Sequence, residues 1–296
     1  MDKMSRVKAI MCLVAIAMAL LPLRVTGQQR FLEHSELSLE IGGMSYMGDL
    51  NNQKLFGKLN LGYGLGYRYK FDDRWSLKIG GAYGHIEGGN PDAIAMRNLS
   101  FRSYVWEGTI RTEFNFLPYG FSDVQWRFSP YIFAGIGLMG FNPTAKYTDP
   151  ATGESEWVEL RPLCTEGQGT AEYEGRTQYS LLQVVLPFGM GVRVSPNRHM
   201  QVMVEYGLRK TFTDYLDDVS TTYVGGDLLR QTEGGELAAI MADRSAELEG
   251  GVLNAVGIKR GDDSLDDWYI YMNVSVSISL DILMGWMFPK RCNFRN

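Results

Sequence analysis

The stretch WYIYMNVSVSISLDI, residues 268–282, decides the fold. Trp268, Ile270, Met272, Val274, Val276, Ile278, Leu280 and Ile282 fall on one side of an extended chain. Tyr269, Tyr271, Asn273, Ser275, Ser277, Ser279 and Asp281 fall on the other. A period of two is the mark of a strand with one apolar and one polar face. About fifteen residues of it exceed the usual strand of a soluble sheet, whose typical length is about 5–6.

The pattern recurs upstream. In LNLGYGLGYRYKF (residues 59–71), leucines and tyrosines oppose Asn60, Gly62, Gly64, Gly66, Arg68 and Lys70. In WSLKIGGAYG (75–84), Trp75, Leu77, Ile79 and Tyr83 oppose Ser76, Lys78, Gly80 and Ala82. YVWEGTIRTEFNF (104–116), LLQVVLPFGMGVRV (181–194) and MQVMVEYGLR (200–209) behave alike, while ELSLEIGG (36–43) and SPYIFAGIGLMG (129–140) alternate less cleanly. This gives eight strands. An even count, alternating faces and aromatics near strand ends predict an all-β protein, an eight-stranded antiparallel transmembrane β-barrel. A soluble sandwich would use shorter strands, with a turn every eight to twelve residues or so.

The N-terminus supports export. Lys3, Arg6 and Lys8 precede an apolar run at residues 9–23, and Val25 and Gly27 are suitably small for cleavage. Residues 1–27 read as a signal peptide, 28–284 as the barrel and 285–296 as a tail. Cys12 does not make a convincing lipoprotein site, because Met11 stands where a small residue is wanted.

The 296 residues carry a net charge of −5. Loss of the signal, with Lys3, Arg6, Lys8, Arg24 and Asp2, leaves roughly −8 and no basic stripe, so nucleic acid is not an expected partner. The cysteines left, Cys164 and Cys292, fall on opposite sides of the membrane in this topology and are expected to be free. No clustered Cys/His spacing suggests a metal, and no cofactor is expected. Asp214, Asp217 and Asp218 lack a calcium-loop repeat and read as loop-capping residues. His85 is the one rim histidine that could serve a lipid-modifying enzyme, and no enzyme is expected.

Joins at 71–75, 117–126 and 195–199 are short. Those at 48–57, 87–98, 142–177 and 213–267 are long. Short turns in the periplasm and long loops outside place both termini in the periplasm of a Gram-negative bacterium. In the fourth outer loop, GELAAIMADRSAELEG permits a short helix over residues 236–249. The inward positions carry Glu36, Glu40, Glu107, Glu113, Glu205 and Asp281 against Arg68, Lys70, Lys78, Arg111, Arg193 and Arg209. Six acids facing six bases in a confined lumen predict a closed ionic network rather than a channel.

Three segments carry a resemblance. MSYMGDLN (44–51), TFTDYLDDVSTTYV (211–224) and DDWYIYMNVSVS (266–277) are similar to motifs of a Bacteroidota family of small outer-membrane barrels, the PorG-like family. The similarity runs from about residue 36 to the C-terminus. It implies an outer-membrane component of the type IX secretion system that anchors a periplasmic ring of PorK–PorN type. Outer-membrane lipids and those ring proteins are the implied partners. The tail GWMFPKRCNFRN (285–296) reads either as a disordered end or as a docking peptide, with Trp286, Phe288, Lys290 and Arg291 making the contacts. The competing reading is a stand-alone surface barrel of OmpW-like type with adhesive or small-ligand loops.

Overall fold

A computed structural model describes residues 34–51, 58–89, 97–118, 128–197, 199–248 and 250–287. Nine strands form one antiparallel sheet: β1 (Ser35–Met47), β2 (Asn60–Lys70), β3 (Trp75–Gly88), β4 (Phe101–Asn115), β5 (Phe128–Thr148), β6 (Ser155–Glu159), β7 (Leu182–Asn197), β8 (Met200–Lys210) and β9 (Trp268–Ser279). Each barrel strand pairs with its neighbours, β1 pairs with β9, and β4 pairs with β5, so eight strands close into a barrel. The remaining strand, β6, stands outside the circle and, among the described residues, pairs with the upper part of β5 alone.

Closure removes strand edges, as a membrane-spanning sheet requires. The outward side chains are apolar and accessible: Leu39 is 73% exposed, Leu65 66% and Met190 62%. So wide an apolar surface is unsuited to water and matches a lipid-facing band. Aromatics gather at both ends of it. Trp75 packs on Phe114 at 4.8 Å between ring centroids and Phe114 on Phe116 at 5.5 Å near the short-turn end. Tyr83 stacks on Tyr104 at 6.1 Å nearer the long loops. The chain is thus a transmembrane barrel of outer-membrane type.

Three boundaries differ from the sequence reading. Residues 142–177 are not all loop: β5 continues to Thr148 and returns as β6, because Thr144, Lys146 and Tyr147 find partners in Glu159, Trp157 and Glu156. The fourth long loop holds two short helices, α1 (Gly226–Leu229) and α2 (Gly235–Ala242), and a 3-10 turn at Ser245–Glu247 in place of one helix over 236–249. Asp243 is extended and ends α2 early. At the C-terminus the strand stops at Ser279, and Leu280–Met287 form helix α3. The expected boundary at 284/285 therefore falls inside a helix. Residues 1–27 lie outside the described residues, as do residues 288–296 of the tail.

Gly42 shows how tightly β1 meets β9. A Cβ there would lie 1.8 Å from the Met272 carbonyl oxygen, whereas one on Gly108 would meet nothing within 4 Å. Gly42→Val is expected to lower unfolding stability in a lipid or detergent system by about 3 kcal/mol. Gly108→Ala should be near neutral in the same denaturant titration.

Candidate functional site: the filled lumen and the closed mouth

The lumen is built by the inward face of the alternation. Arg68, Lys70 and Lys78 reach it from β2 and β3, Glu107, Arg111 and Glu113 from β4, Arg193 from β7, Glu205 and Arg209 from β8, and Glu36 and Glu40 from β1. All are buried. Gly64 and Gly66 leave the space they occupy: a Cβ on Gly66 would meet Lys78 Cε at 2.5 Å, and one on Gly64 would meet Glu40 Oε2 at 3.1 Å.

Glu113 is the hub. It accepts from Arg68 at 2.7 and 3.3 Å, from Arg193 at 2.7 Å and from Arg111 at 3.3 Å. Arg111 also makes a two-pronged contact with Glu205, both distances 2.6 Å, while the Tyr131 hydroxyl donates to Glu205 at 2.9 Å. Glu36 bonds Arg68 at 3.0 Å and pairs with Lys70, and Lys78 pairs with Glu40. Higher up, Arg209 meets Glu107 at 3.1 and 3.3 Å, and Glu107 also accepts from the Tyr269 hydroxyl. Guanidinium faces rest on rings, Arg111 on Phe133 at 4.3 Å and Arg193 on Tyr131 at 4.6 Å. Two-pronged, charge-assisted bonds offset the desolvation that burial imposes.

Asp281 is not in this network. It sits in the first turn of α3, with a carboxylate oxygen 3.3 Å from His199 Nδ1 in the turn between β7 and β8. The strand ends at Ser279, three residues short of the alternation read from the sequence. Among the described residues the lumen therefore holds five carboxylates against six cations, and three arginines converge on Glu113.

Above the charges the lumen is apolar. Met44, Tyr46, Ile86, Val105, Met139, Phe141 and Tyr271 continue into loop residues Leu160, Leu163, Leu216, Val219, Val224 and Leu229 as one buried cluster. The third and fourth long loops form a folded lid. Its centre is Glu166, fully buried in the third loop. Its carboxylate accepts from the Ser220 N–H at 2.9 Å, the Thr221 N–H and hydroxyl at 3.1 and 2.6 Å, and Arg260 at 2.9 Å, all from the fourth loop. Asp218, in the left-handed region at φ 67°, accepts from Thr165 at 2.5 Å and Tyr179 at 2.7 Å.

The Tyr46 hydroxyl, from β1, lies 2.6 Å from Asp217 Oδ2 and 2.7 Å from Asp267 Oδ1. One hydroxyl carries one proton. The second contact needs a proton from a carboxyl, so at least one of the two acids is protonated. Burial pushes the Asp217 carboxyl up to about 8, and burial followed by the Asp217 charge raises Asp267 well above the carboxylate range. Burial likewise raises Asp214 to about 8 and Asp218 to about 6. Sequence reading named Asp214, Asp217 and Asp218 but missed Glu166, Tyr46, Asp267 and Arg260. Tyr46 and Asp267 stand in the quoted motif segments, which is the one signal the sequence held for them; Glu166 and Arg260 stand outside those segments.

The remaining singled-out residues lie apart. His85, on β3, is 3.6 Å from Glu87 Oε1 and stands beside Tyr104 at 5.6 Å between ring centroids. Cys164 is a half-buried free thiol. Trp286 has its backbone in α3, whereas Phe288, Lys290, Arg291 and Cys292 lie outside the described residues.

Residues 13–156 match the model of a family described as a domain of unknown function, DUF6089. None of the curated proteins compared with the chain matches it. Neisserial surface protein A is similar at 10% identity and a TM-score of 0.38, over 83% of this chain and 97% of its own. Ail, the attachment invasion locus protein of Yersinia pestis, is similar at 11% identity and 0.37, over 82% and 96%. The outer-membrane protein OprG from Pseudomonas aeruginosa gives 12% identity and 0.34, over 82% and 96%. At such scores the barrel rests on its own strand pairing.

Two outcomes follow from this geometry. Glu113→Gln keeps the shape and removes the charge, leaving three guanidiniums without their shared counter-ion. Denaturant titration should show a loss of about 3–5 kcal/mol. For the lid, a carboxyl raised above its unfolded value of about 3.9 keeps its proton in the folded form after the unfolded chain has released it. The stability of the lid is then fullest below about pH 4 and is lost progressively up to about pH 8. Hydrogen exchange at residues 219–221, corrected for intrinsic rates, should give protection at least about tenfold lower at pH 8.5 than at pH 5. Asp217→Asn, which cannot titrate, should weaken that dependence, with Asp214, Asp218 and Asp267 still titrating.

Proposed function

We propose that this barrel is an outer-membrane anchor of the type IX secretion system and that its short-turn end, facing the periplasm, holds a ring of PorK–PorN type. The observation that carries the reading is the filled lumen. Among the described residues, ionic pairs below and an apolar cluster above occupy it, which turns attention from conduction to what the two ends hold. The motif resemblance directs the choice toward the secretion machine. The reading is non-enzymatic.

The short-turn end suits a rigid docking face. Asp72 Oδ1 accepts from the Arg74 and Trp75 N–H groups, both at 2.7 Å, and Arg74 reaches the Phe116 carbonyl at 2.9 Å. The turns between strands are thereby tied to one another. Helix α3 starts there, fixed by Asp281 and His199. In the sequence that follows it, Phe288, Lys290 and Arg291 add apolar and cationic groups to Trp286. Buried aromatics of this kind can hold much of an interface's affinity. The folded lid favours the second reading, a stand-alone surface barrel with binding loops.

Deleting the gene should abolish export of type IX cargo while leaving other barrels assembled. Intact export would give the surface barrel the better claim. Truncation after Met287 should leave a folded barrel that no longer co-purifies with the ring lipoprotein. Retained co-purification would shift the contacts from the tail to the turns. With Cys164 and Cys292 replaced by serine, Glu172→Cys should react with an impermeant thiol reagent on whole cells and Asn197→Cys should not. The reverse pattern would invert the assigned orientation.

A further inference from the structure

The hairpin of β5 and β6 projects beyond the barrel and, among the described residues, leaves one edge open. The backbone bonds Asp149 N–H to Glu154 O, at 2.9 Å, and Leu160 N–H to Pro143 O, at 2.9 Å, fix which residues of β6 bond to β5. Combined with the register, they turn Glu154, Glu156, Val158 and Leu160 toward β5. In an antiparallel pair the alternate residues face the other way. The N–H and C=O groups of Ser155, Trp157 and Glu159 therefore point away from β5, and β6 ends the sheet order. All three residues are exposed, Trp157 by 48%.

The charged side chains of this hairpin are mostly acidic. Glu154, Glu156 and Glu159 are exposed, and Asp149 stands at the turn; Lys146, opposite Trp157, is the hairpin's own cation. Arg102 reaches the hairpin from β4, its guanidinium 4.2 Å over the Trp157 ring, but its charge meets Glu87 at 2.5 Å. The edge has the unmade hydrogen bonds that invite another strand, and its carboxylates repel one that is acidic. We propose that the outer edge of β6 is a docking site for an extended, lysine- or arginine-rich peptide segment, which adds to the sheet as a further strand. Backbone bonds at Ser155, Trp157 and Glu159 would supply the pairing. The carboxylates at Glu154, Glu156 and Glu159 would select for cationic side chains. This inference is independent of what the short-turn end holds.

The test uses the full chain folded into nanodiscs of zwitterionic phosphatidylcholine, which offer basic peptides no anionic lipid. The probe is a fluorescent peptide of about eight alternating lysines and valines, followed by anisotropy. It is expected to bind at least about tenfold more tightly than its glutamate–valine counterpart, and at least about tenfold more tightly than the same peptide with alternate backbone nitrogens methylated. Trp157→Pro removes an outward N–H while sparing the bonds to β5, and should weaken binding about tenfold. Trp157→Ala retains that N–H and should change it by less than about threefold. If the proline variant fails to fold, the triple change Glu154→Gln, Glu156→Gln, Glu159→Gln decides together with the methylated peptide; it should weaken binding about tenfold. No binding of the lysine–valine peptide overturns the proposal. So does equal binding of the methylated peptide, which would mean charge alone, and so does an alanine variant as weak as the proline one, which would mean the indole alone.

Discussion

In a bilayer every backbone N–H and C=O must find a partner within the protein, because the hydrocarbon offers none. That constraint explains the pairing of β1 with β9 and of β4 with β5, the two joins by which the sheet closes on itself. Closure with eight strands then fixes a narrow interior, which side chains can fill. Alternation places every second residue inside it. The remaining features are consequences of what those residues are.

Charged groups in such an interior are tolerable only when paired. The four-carbon and guanidinium stems of lysine and arginine need room, and glycines at inward positions of β2 provide it. Glu113 gathers Arg68, Arg111 and Arg193, so strands on different parts of the wall are tied through one carboxylate. The wall and its filling are therefore interdependent. The ladder sets the positions of the charges, and the charges hold the wall at one diameter.

At the long-loop end the same logic operates without lipid. An apolar cluster crosses from barrel to loops, and buried acids tie the loops together through Glu166, Asp218 and the Tyr46 pair. The three motif segments converge here, with Tyr46 from one, Asp217 from another and Asp267 from the third. Their shared property is a place in the lid, and a carboxyl proton is part of its fastening. Among the described residues the β5–β6 hairpin departs from the closed design, since it lies clear of the bilayer and an open edge there is solvated.

Period-two alternation determined the barrel, its eight spanning strands and the inward identity of Arg68, Lys78, Glu107, Arg111, Glu113, Arg193, Glu205 and Arg209, because side-chain direction in a strand is a local property. Sequence placed Glu113 inside but could not make it the hub, since its partners lie 45 and 80 residues away and meet only when the sheet curls shut. Asp281 continued the alternation on paper yet belongs to a helix, because Leu280–Met287 have left the ladder and bond within themselves. The strand β6 was hidden in a loop because five residues, SEWVE, gain strand form from β5 rather than from their own pattern. The Tyr46, Asp217 and Asp267 contact joins positions 171 and 221 residues apart. Side-chain facing is written locally; which facing groups touch was decided by closure and by the burial of the loops.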